Sequence, residues 1–330
     1  MATIQDIAER ANVSKSTVSR VLNDSSTVNK TKRDAVEAAI RELNYQPNIV
    51  ARSLASGQSM TIGVLTQNIG SPYYDTINQG VIEGLEGTDY WPIFVDGRWM
   101  DSSQEKGIET LLGRRVDGLI LVGGDVSVEK LNAIRSQVPV LVVGRQIDGW
   151  DAKSIFLDNF RAAFVATRHL IELGHRSIAI IRGISNQQDA IRRYDGYVAA
   201  LEEAGISLDP RLVHQGDFSA QSGVVAVNSF LSRAVNFTAV FAANDMTAFG
   251  VRLALSRHGL RVPDDVSLVG FDDQAESAYT TPPLTTIRQP AFEMGLAAAD
   301  AIQKLIDGVD FDLPEFAAEL QIRESASRLR

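Results

Sequence analysis

Through the first fifty positions, apolar residues recur three and four apart, which is helical spacing. TIQDIAER places Ile7 and Ala8 on one face with Ala11 behind them, and predicts a short helix. Thr3 followed by Asp6 forms a capping box, in which hydroxyl and carboxylate satisfy each other's free amides at its start. Ser14 and Thr17 repeat that pattern and open a second helix. Its Val18, Val21 and Leu22 face inward, and its Lys15, Ser16, Ser19 and Arg20 face outward. Between the two, Asn12 suits the left-handed conformation of a tight turn, and Val13 can pack under both helices. A third helix, capped by Asn29 or Thr31, carries Val36, Ala39, Ile40 and Leu43 and closes a three-helix core. In YQPNIVARSLASGQS, Pro47 is expected to break the helix, the middle can form a short further helix bearing Leu54, and Ser56, Gly57 and Ser59 read as linker.

From residue 60 onward the pattern changes. Short apolar runs, at 62–65, 93–95, 118–122, 140–143, 178–181, 239–242 and 267–269, alternate with amphipathic stretches such as YDTINQGVIEGLE, QEKGIETLLGRR and FRAAFVATRHLIELGH. This alternation predicts an α/β body whose parallel, doubly wound sheet is covered on both faces, with ligands bound beyond the carboxyl ends of its strands.

Two short helices meeting at a turn, with a polar second helix, are the arrangement of a helix-turn-helix that reads DNA in the major groove. A plain helical hairpin with a solvated face is the alternative reading. The third helix and the breaker-plus-linker that follow it weigh against that.

At 330 residues, the chain has room for a small module and a larger two-lobed body. It contains no Cys, so disulfides, thiol chemistry and Cys-based metal sites are excluded. MATIQDIAER lacks the basic and apolar regions of an export signal, and runs such as DGLILVGG are too short to span a bilayer, so the expected location is cytoplasmic. The formal charge of -9 is divided unevenly. Residues 1–59 hold eight Lys+Arg against six Asp+Glu (+2), and the remainder holds 24 against 35 (-11). A mildly basic head can meet phosphates while an acidic body discourages indiscriminate adhesion to polyanions.

VSKSTVSRVLN, LNYQPNIVARSL, HLIELGHRSIAII, FAANDMTAFG, VPDDVSLVGFDD and PPLTTIRQP occur in this order along the chain. In these six motifs, which span essentially the whole sequence, it closely resembles the LacI/GalR family of bacterial transcriptional regulators. The resemblance implies a helix-turn-helix head at 1–46, a hinge helix and linker at 47–59, and a periplasmic-binding-protein-like core at 60–330. That core would have two lobes, about 60–158 with 290–319 and about 159–289 with 320–330, crossed by the chain near 158–160, 288–290 and 319–321, with the ligand between them. For DNA contact it implies Thr3, Ile4, Gln5, Ser14, Lys15, Ser16, Thr17, Ser19, Arg20, Asn23, Asn29 and Tyr45 in the head, and Asn48, Arg52 and Leu54 in the hinge.

The effector candidates come from strand ends, where the chemistry and the resemblance agree. Arg193 can donate to ligand oxygens, and Asp189 one turn earlier can accept from hydroxyls. Asn244 and Asp272 follow apolar strands, and Phe218 falls where the family places a stacking aromatic ring. Ser71, Tyr73 and Tyr74 follow TIGVLT, and Arg98 and Trp99 follow PIFVD. Gly144 stands where sugar-responsive relatives can carry an Asp, and Arg145 follows it. Donors and acceptors mixed with aromatic faces suit a polyhydroxylated ligand, so a carbohydrate is expected; a purine held between Phe218 and a Tyr is the alternative.

Enzyme readings find little support. GxGxxG, GxxxxGK[ST] and GxSxG are absent, and the four His (169, 175, 214, 258) lack metal-ligand spacing; capping or packing is the simpler role for His169 and His175. Asp272 and Asp273, adjacent at a strand end, point different ways and make a poor acid/base pair. No cofactor or metal is expected. A periplasmic sugar-binding protein would share the body but need an export signal. The sequence therefore reads as a repressor that binds a palindromic operator as a homodimer, since one such module buries too little surface to select a site in a genome. The end at SRLR carries no leucine heptad, which argues against a further tetramerising helix.

Overall fold

The structure, a computed structural model, describes residues 2–22, 27–45, 57–150 and 153–329. Two compact units divide the chain at Ser59 and Met60.

The first unit holds helices α1 (Ile4–Arg10), α2 (Lys15–Leu22) and α3 (Lys30–Glu42). Thr3 and Asp6 form the reciprocal capping box at α1. The Ser14 hydroxyl accepts from the Thr17 amide at 3.2 Å, and Asn29, not Thr31, caps α3. Asn12 turns the chain with φ 50°. Ile7, Ala8, Val18, Val21, Val36 and Ala39 form the core, with Ile4, Ala11, Val13, Ile40, Leu43 and Tyr45 packed around it. Because each helix is too short to persist alone in water, their stability rests on this shared interior.

The second unit contains two sheets. One, in the order β2 (Trp91–Asp96), β1 (Thr61–Thr66), β3 (Gly118–Val122), β4 (Val140–Val143), β5 (Ser154–Ile155), is wholly parallel. The other runs β11 (Glu319–Gln321), β10 (Thr285–Arg288), β9 (Ser267–Asp272), β8 (Ala239–Ala242), β6 (Ile178–Arg182), β7 (Val213–Gln215), and only β11 is antiparallel. Among the described residues the helices of this unit are α4 (Pro72–Leu85), α5 (Asp101–Gly113), α6 (Val128–Arg135), α7 (Asn159–Glu172), α8 (Gln188–Glu203), α9 (Ala220–Ser232), α10 (Asp245–Arg257) and α11 (Ala291–Asp307).

The central strands are fully buried, Gly118–Val122, Val140–Val143 and Ala239–Ala242 throughout, because helices cover both faces. The chain passes from the first sheet to the second between β5 and α7, and returns between β10 and α11, which packs with α4 beneath β3 and β4. It crosses again before β11. Each lobe therefore contains chain from both halves of this unit. The strand ends of both sheets supply the loops described next.

Candidate functional site

One cavity of about 260 Å³ lies at the carboxyl ends of the strands, with walls from both lobes. The first lobe contributes Asn68, Gly70, Ser71, Pro72, Tyr73 and Tyr74 after β1 and Trp99 after β2. The second contributes Gln187, Asp189 and Arg193 after β6, Asp217 to Ala220 after β7, Asn244 and Met246 after β8, and Asp272 at the end of β9.

Arg193 is the electrostatic centre. Its side chain is only 5 % exposed. Nε donates to Asn159 Oδ1 at 2.8 Å and Nη1 to the Ala243 carbonyl at 2.6 Å, and Cζ lies 3.7 Å from the centroid of the Phe271 ring. Nη1 stands 3.8 Å from Asp272 Oδ1. Asn159 also donates from Nδ2 to Asp189 Oδ1 at 3.2 Å, so one amide fixes the two charged groups that α8 presents one turn apart.

Burial pushes both carboxyls up to about 6, and the guanidinium between them limits the rise. The Tyr73 and Tyr74 hydroxyls are raised as well, chiefly by burial and then by Asp189. Gln289 Nε2 donates to Asp272 Oδ1 at 2.7 Å.

Asp272 and Asp273 have φ of 114° and 55°, which costs a non-glycine residue about 1 to 3 kcal/mol each. The turn sends their carboxylates apart. Asp272 points into the cavity, whereas Asp273 meets Arg323 at 2.6 Å.

The aromatic wall is a chain of contacts. Tyr73 and Tyr74 meet edge to face at 5.2 Å, Tyr74 and Trp99 at 5.5 Å, and Trp99 stacks toward Phe218 from the other lobe at 6.4 Å. Gly183 makes room for the Phe218 ring, since a Cβ there would collide with its tip. Asn244 caps α10 through Oδ1 and donates from Nδ2 to the Phe218 carbonyl at 3.0 Å, holding that loop in place.

Nine of the eleven residues expected from the sequence thus share one cavity. The other two do not reach it. Arg98 is exposed with φ 53°, and its amide donates to Asp96 Oδ1 at 2.9 Å. Arg145 spends its guanidinium on the carbonyls of Val126 (2.9 Å) and Gly124 (3.4 Å). Asn68, Gln187, Asp217 and Met246 line the cavity without having been expected, although the first three follow strands that also lead to expected residues and Met246 lies in the first turn of α10, two residues after Asn244. Asn159 gives no such signal, because it opens a helix where the chain crosses between lobes.

In the head, Lys15, Ser16, Ser19 and Arg20 are exposed along α2, and Ser14 is exposed just before it. Ser14 Oγ bonds Ser16 Oγ at 2.8 Å and Thr17 Oγ1 at 2.9 Å. The Thr3 and Asn29 side chains are engaged in caps, Gln5 bonds Glu9, and Ile4 and Tyr45 pack against the core. Asn23, Asn48, Arg52 and Leu54 lie outside the described residues. No group of three or more potential metal-binding His, Asp or Glu occurs among the described residues, and none of their helices is long and apolar enough to cross a membrane.

Comparison with known proteins fits both units. Residues 3–48 match the bacterial regulatory proteins of the lacI family, and residues 167–326 match a periplasmic binding protein-like domain. The HTH-type transcriptional repressor PurR of Haemophilus influenzae is 35 % identical, with all of both chains covered. The chain belongs to the LacI family. The ribose operon repressor of the same species is 35 % identical over 93 % of this chain and 92 % of that one. The structure of the lac repressor dimer bound to operator and the anti-inducer ONPF superposes with a TM-score of 0.89 at 32 % identity, covering 99 % of each chain. As a LacI-family member, the protein is a DNA-binding transcriptional repressor and not an enzyme, and its body has the two parallel-sheet lobes of that family.

Proposed function

We propose that this protein represses transcription in the cytoplasm as a homodimer on a palindromic operator, under control of a neutral carbohydrate bound between the lobes. The observation that carries the effector reading is the pairing of two buried acceptors, Asp189 and Asp272, around Arg193, opposite the aromatic wall of Tyr73, Tyr74, Trp99 and Phe218. Sugar hydroxyls donate to carboxylates and accept from a guanidinium, while the CH faces of the ring rest on aromatic surface. With Asp217 on the same wall, carboxylates outnumber the one lining cation, which disfavours phosphorylated or carboxylated sugars.

A purine is the second reading. It is supported by the full-length relatives named PurR and by the nearly parallel Trp99 and Phe218 rings. A purine offers fewer hydroxyl-like donors to this carboxylate-lined wall.

Lys15, Ser16, Ser19 and Arg20, exposed along α2, are the base- and phosphate-reading groups of the head, and the other head and hinge candidates add further DNA contacts. We place the head at 1–46, the hinge at 47–59 and the two-lobed core at 60–330.

Titration calorimetry with D-ribose, D-galactose, cellobiose, hypoxanthine and guanine, alongside operator binding, tests the effector. A neutral sugar is expected to bind and to change operator affinity. Asp272→Ala and Arg193→Ala are expected to keep the operator and lose the effector, each removing a charge-assisted bond worth roughly 1.5 to 3 kcal/mol. Binding of the bases with no response to sugars would transfer the assignment to a purine.

A further inference from the structure

Asn244, which lines the cavity, is followed by a carboxylate aimed the other way. Asp245, the first residue of α10, is 0 % exposed and has no cation among its hydrogen-bond partners. Its Oδ2 accepts from the Gln274 amide at 2.9 Å and the Ser277 hydroxyl at 2.6 Å, and its Oδ1 accepts from the Thr286 hydroxyl at 2.6 Å. Thr286 Oγ1 in turn accepts from the Asp273 amide at 3.4 Å. The two amides that follow Asp272 are therefore both held by one carboxylate, directly at Gln274 and through a hydroxyl at Asp273.

That is where the backbone takes its two consecutive positive φ angles. Room for the carboxylate comes from Gly270, whose missing side chain would otherwise collide with Asp245 Oδ1. The same turn places Gln274 Nε2 3.5 Å from Asp272 Oδ2. An isolated buried carboxylate is unfavourable, and an apolar residue or an amide would be cheaper to bury. An amide keeps a single acceptor oxygen, so one of the two hydroxyls would have to give up donating and turn to accept from its NH₂ group.

We propose that Asp245 is a positioning residue for the effector site: it locks the turn after β9 so that Asp272 faces the ligand, and it ties that turn to the helix whose cap, Asn244, holds the Phe218 loop. The proposal rests on the reading that Asp272 meets the effector. Asp245 touches no ligand itself; it fixes the relative placement of two walls through α10, β10 and the turn.

The test uses the full chain carrying Asp245→Asn. Amide hydrogen exchange at Asp273 and Gln274 is expected to quicken at least 100-fold, with β8 and β9 amides unchanged. Affinity for whichever of D-ribose, D-galactose or cellobiose the parent binds is expected to fall at least tenfold, with operator affinity retained. In an Asp272→Asn background, Asp245→Asn is expected to add no further loss, as two residues acting through one contact are non-additive. Thr286→Val, which cuts only the arm to Asp273, is expected to quicken exchange at that amide alone and serves if Asp245→Asn fails to fold. Unchanged exchange at 273 and 274, loss of protection across both strands, or a fully additive loss in the Asp272→Asn background would overturn the proposal. If the parent binds none of the three sugars, the carbohydrate reading falls, and the exchange at 273 and 274 still decides the role of Asp245.

Discussion

Trp99 and Phe218, one from each lobe, face each other with ring centroids 6.4 Å apart and planes 27° apart. A flat ring inserted between them needs about 7 Å, twice a carbon contact distance of roughly 3.5 Å. The gap is thus slightly too narrow for a sandwiched ligand, and effector entry must either spread the lobes a little or seat the ligand beside the rings. Phe218→Ala is expected to lower effector affinity about tenfold, matching the roughly 0.5 to 1.5 kcal/mol of an aromatic contact beyond the area it buries. The emission of Trp99, measured with Trp91 and Trp150 replaced by Phe, is expected to shift on effector binding. An unchanged spectrum at saturating effector would place the ligand elsewhere.

Arg20 is exposed in the last turn of α2, free to reach a base edge. Arg20→Ala is expected to weaken operator binding by about 1 to 3 kcal/mol per half-site and to relax sequence preference at one position. Competition binding against single-base operator variants measures this. An equal loss on operator and on random DNA would make Arg20 a phosphate contact.

The buried acids should leave a mark on stability. Burial pushes the Asp189 and Asp272 carboxyls up to about 6 and that of Asp245 up to about 7, all above the ordinary 3.8. Between about pH 4 and pH 7 the native protein therefore holds protons that the unfolded chain releases, so these groups make stability fall as pH rises across that window. Their full contribution is present only below the unfolded value. Asp189→Asn, which has no charge to bury, is expected to gain melting temperature relative to the parent as pH rises from 5 to 7.5. A difference that stays constant with pH would contradict the assignment.

Leu54, in the proposed hinge, falls outside the described residues. From the sequence alone, 48–56 is expected to be a marginal helix former that folds when two copies meet over the minor groove, where Leu54 would wedge between base steps at a cost of a few kcal/mol. Leu54→Ala is expected to weaken operator binding and reduce DNA bending while leaving effector affinity of the free protein unchanged. Equal hydrogen-exchange protection at 48–56 with and without DNA would rule this switch out.

The sequence made some parts of the fold plain and hid others for definable reasons. The caps at Thr3 and Asn29 and the left-handed Asn12 are local signals and need no tertiary context. Strands buried on both faces, such as Ala239–Ala242, announce themselves as apolar runs. β10 does not, because its Thr285 and Thr286 are buried through their hydroxyls, one accepting from the Arg323 amide and the other donating to Asp245. The short edge strands β7 and β11 and the two-residue β5 fall below any periodicity. At the cavity, strand ends together with the family resemblance pointed to Asp189, Arg193 and Asp272, which line it. They misled at Arg145, whose guanidinium is captured by nearby carbonyls, and were silent on Asn159.

The threading of the chain bears on its synthesis. The helix that packs against α4 beneath the first sheet begins only at Ala291, and the strand that completes the second sheet is Glu319–Gln321. As residues emerge from the ribosome, α1 to α3 already possess every partner they need, whereas each lobe waits for segments made near the end. The head can therefore fold while translation continues, and each lobe is completed only by a segment made late. A ribosome stalled before Ala291 would display a finished DNA-reading module on an open body, with nothing yet able to answer an effector.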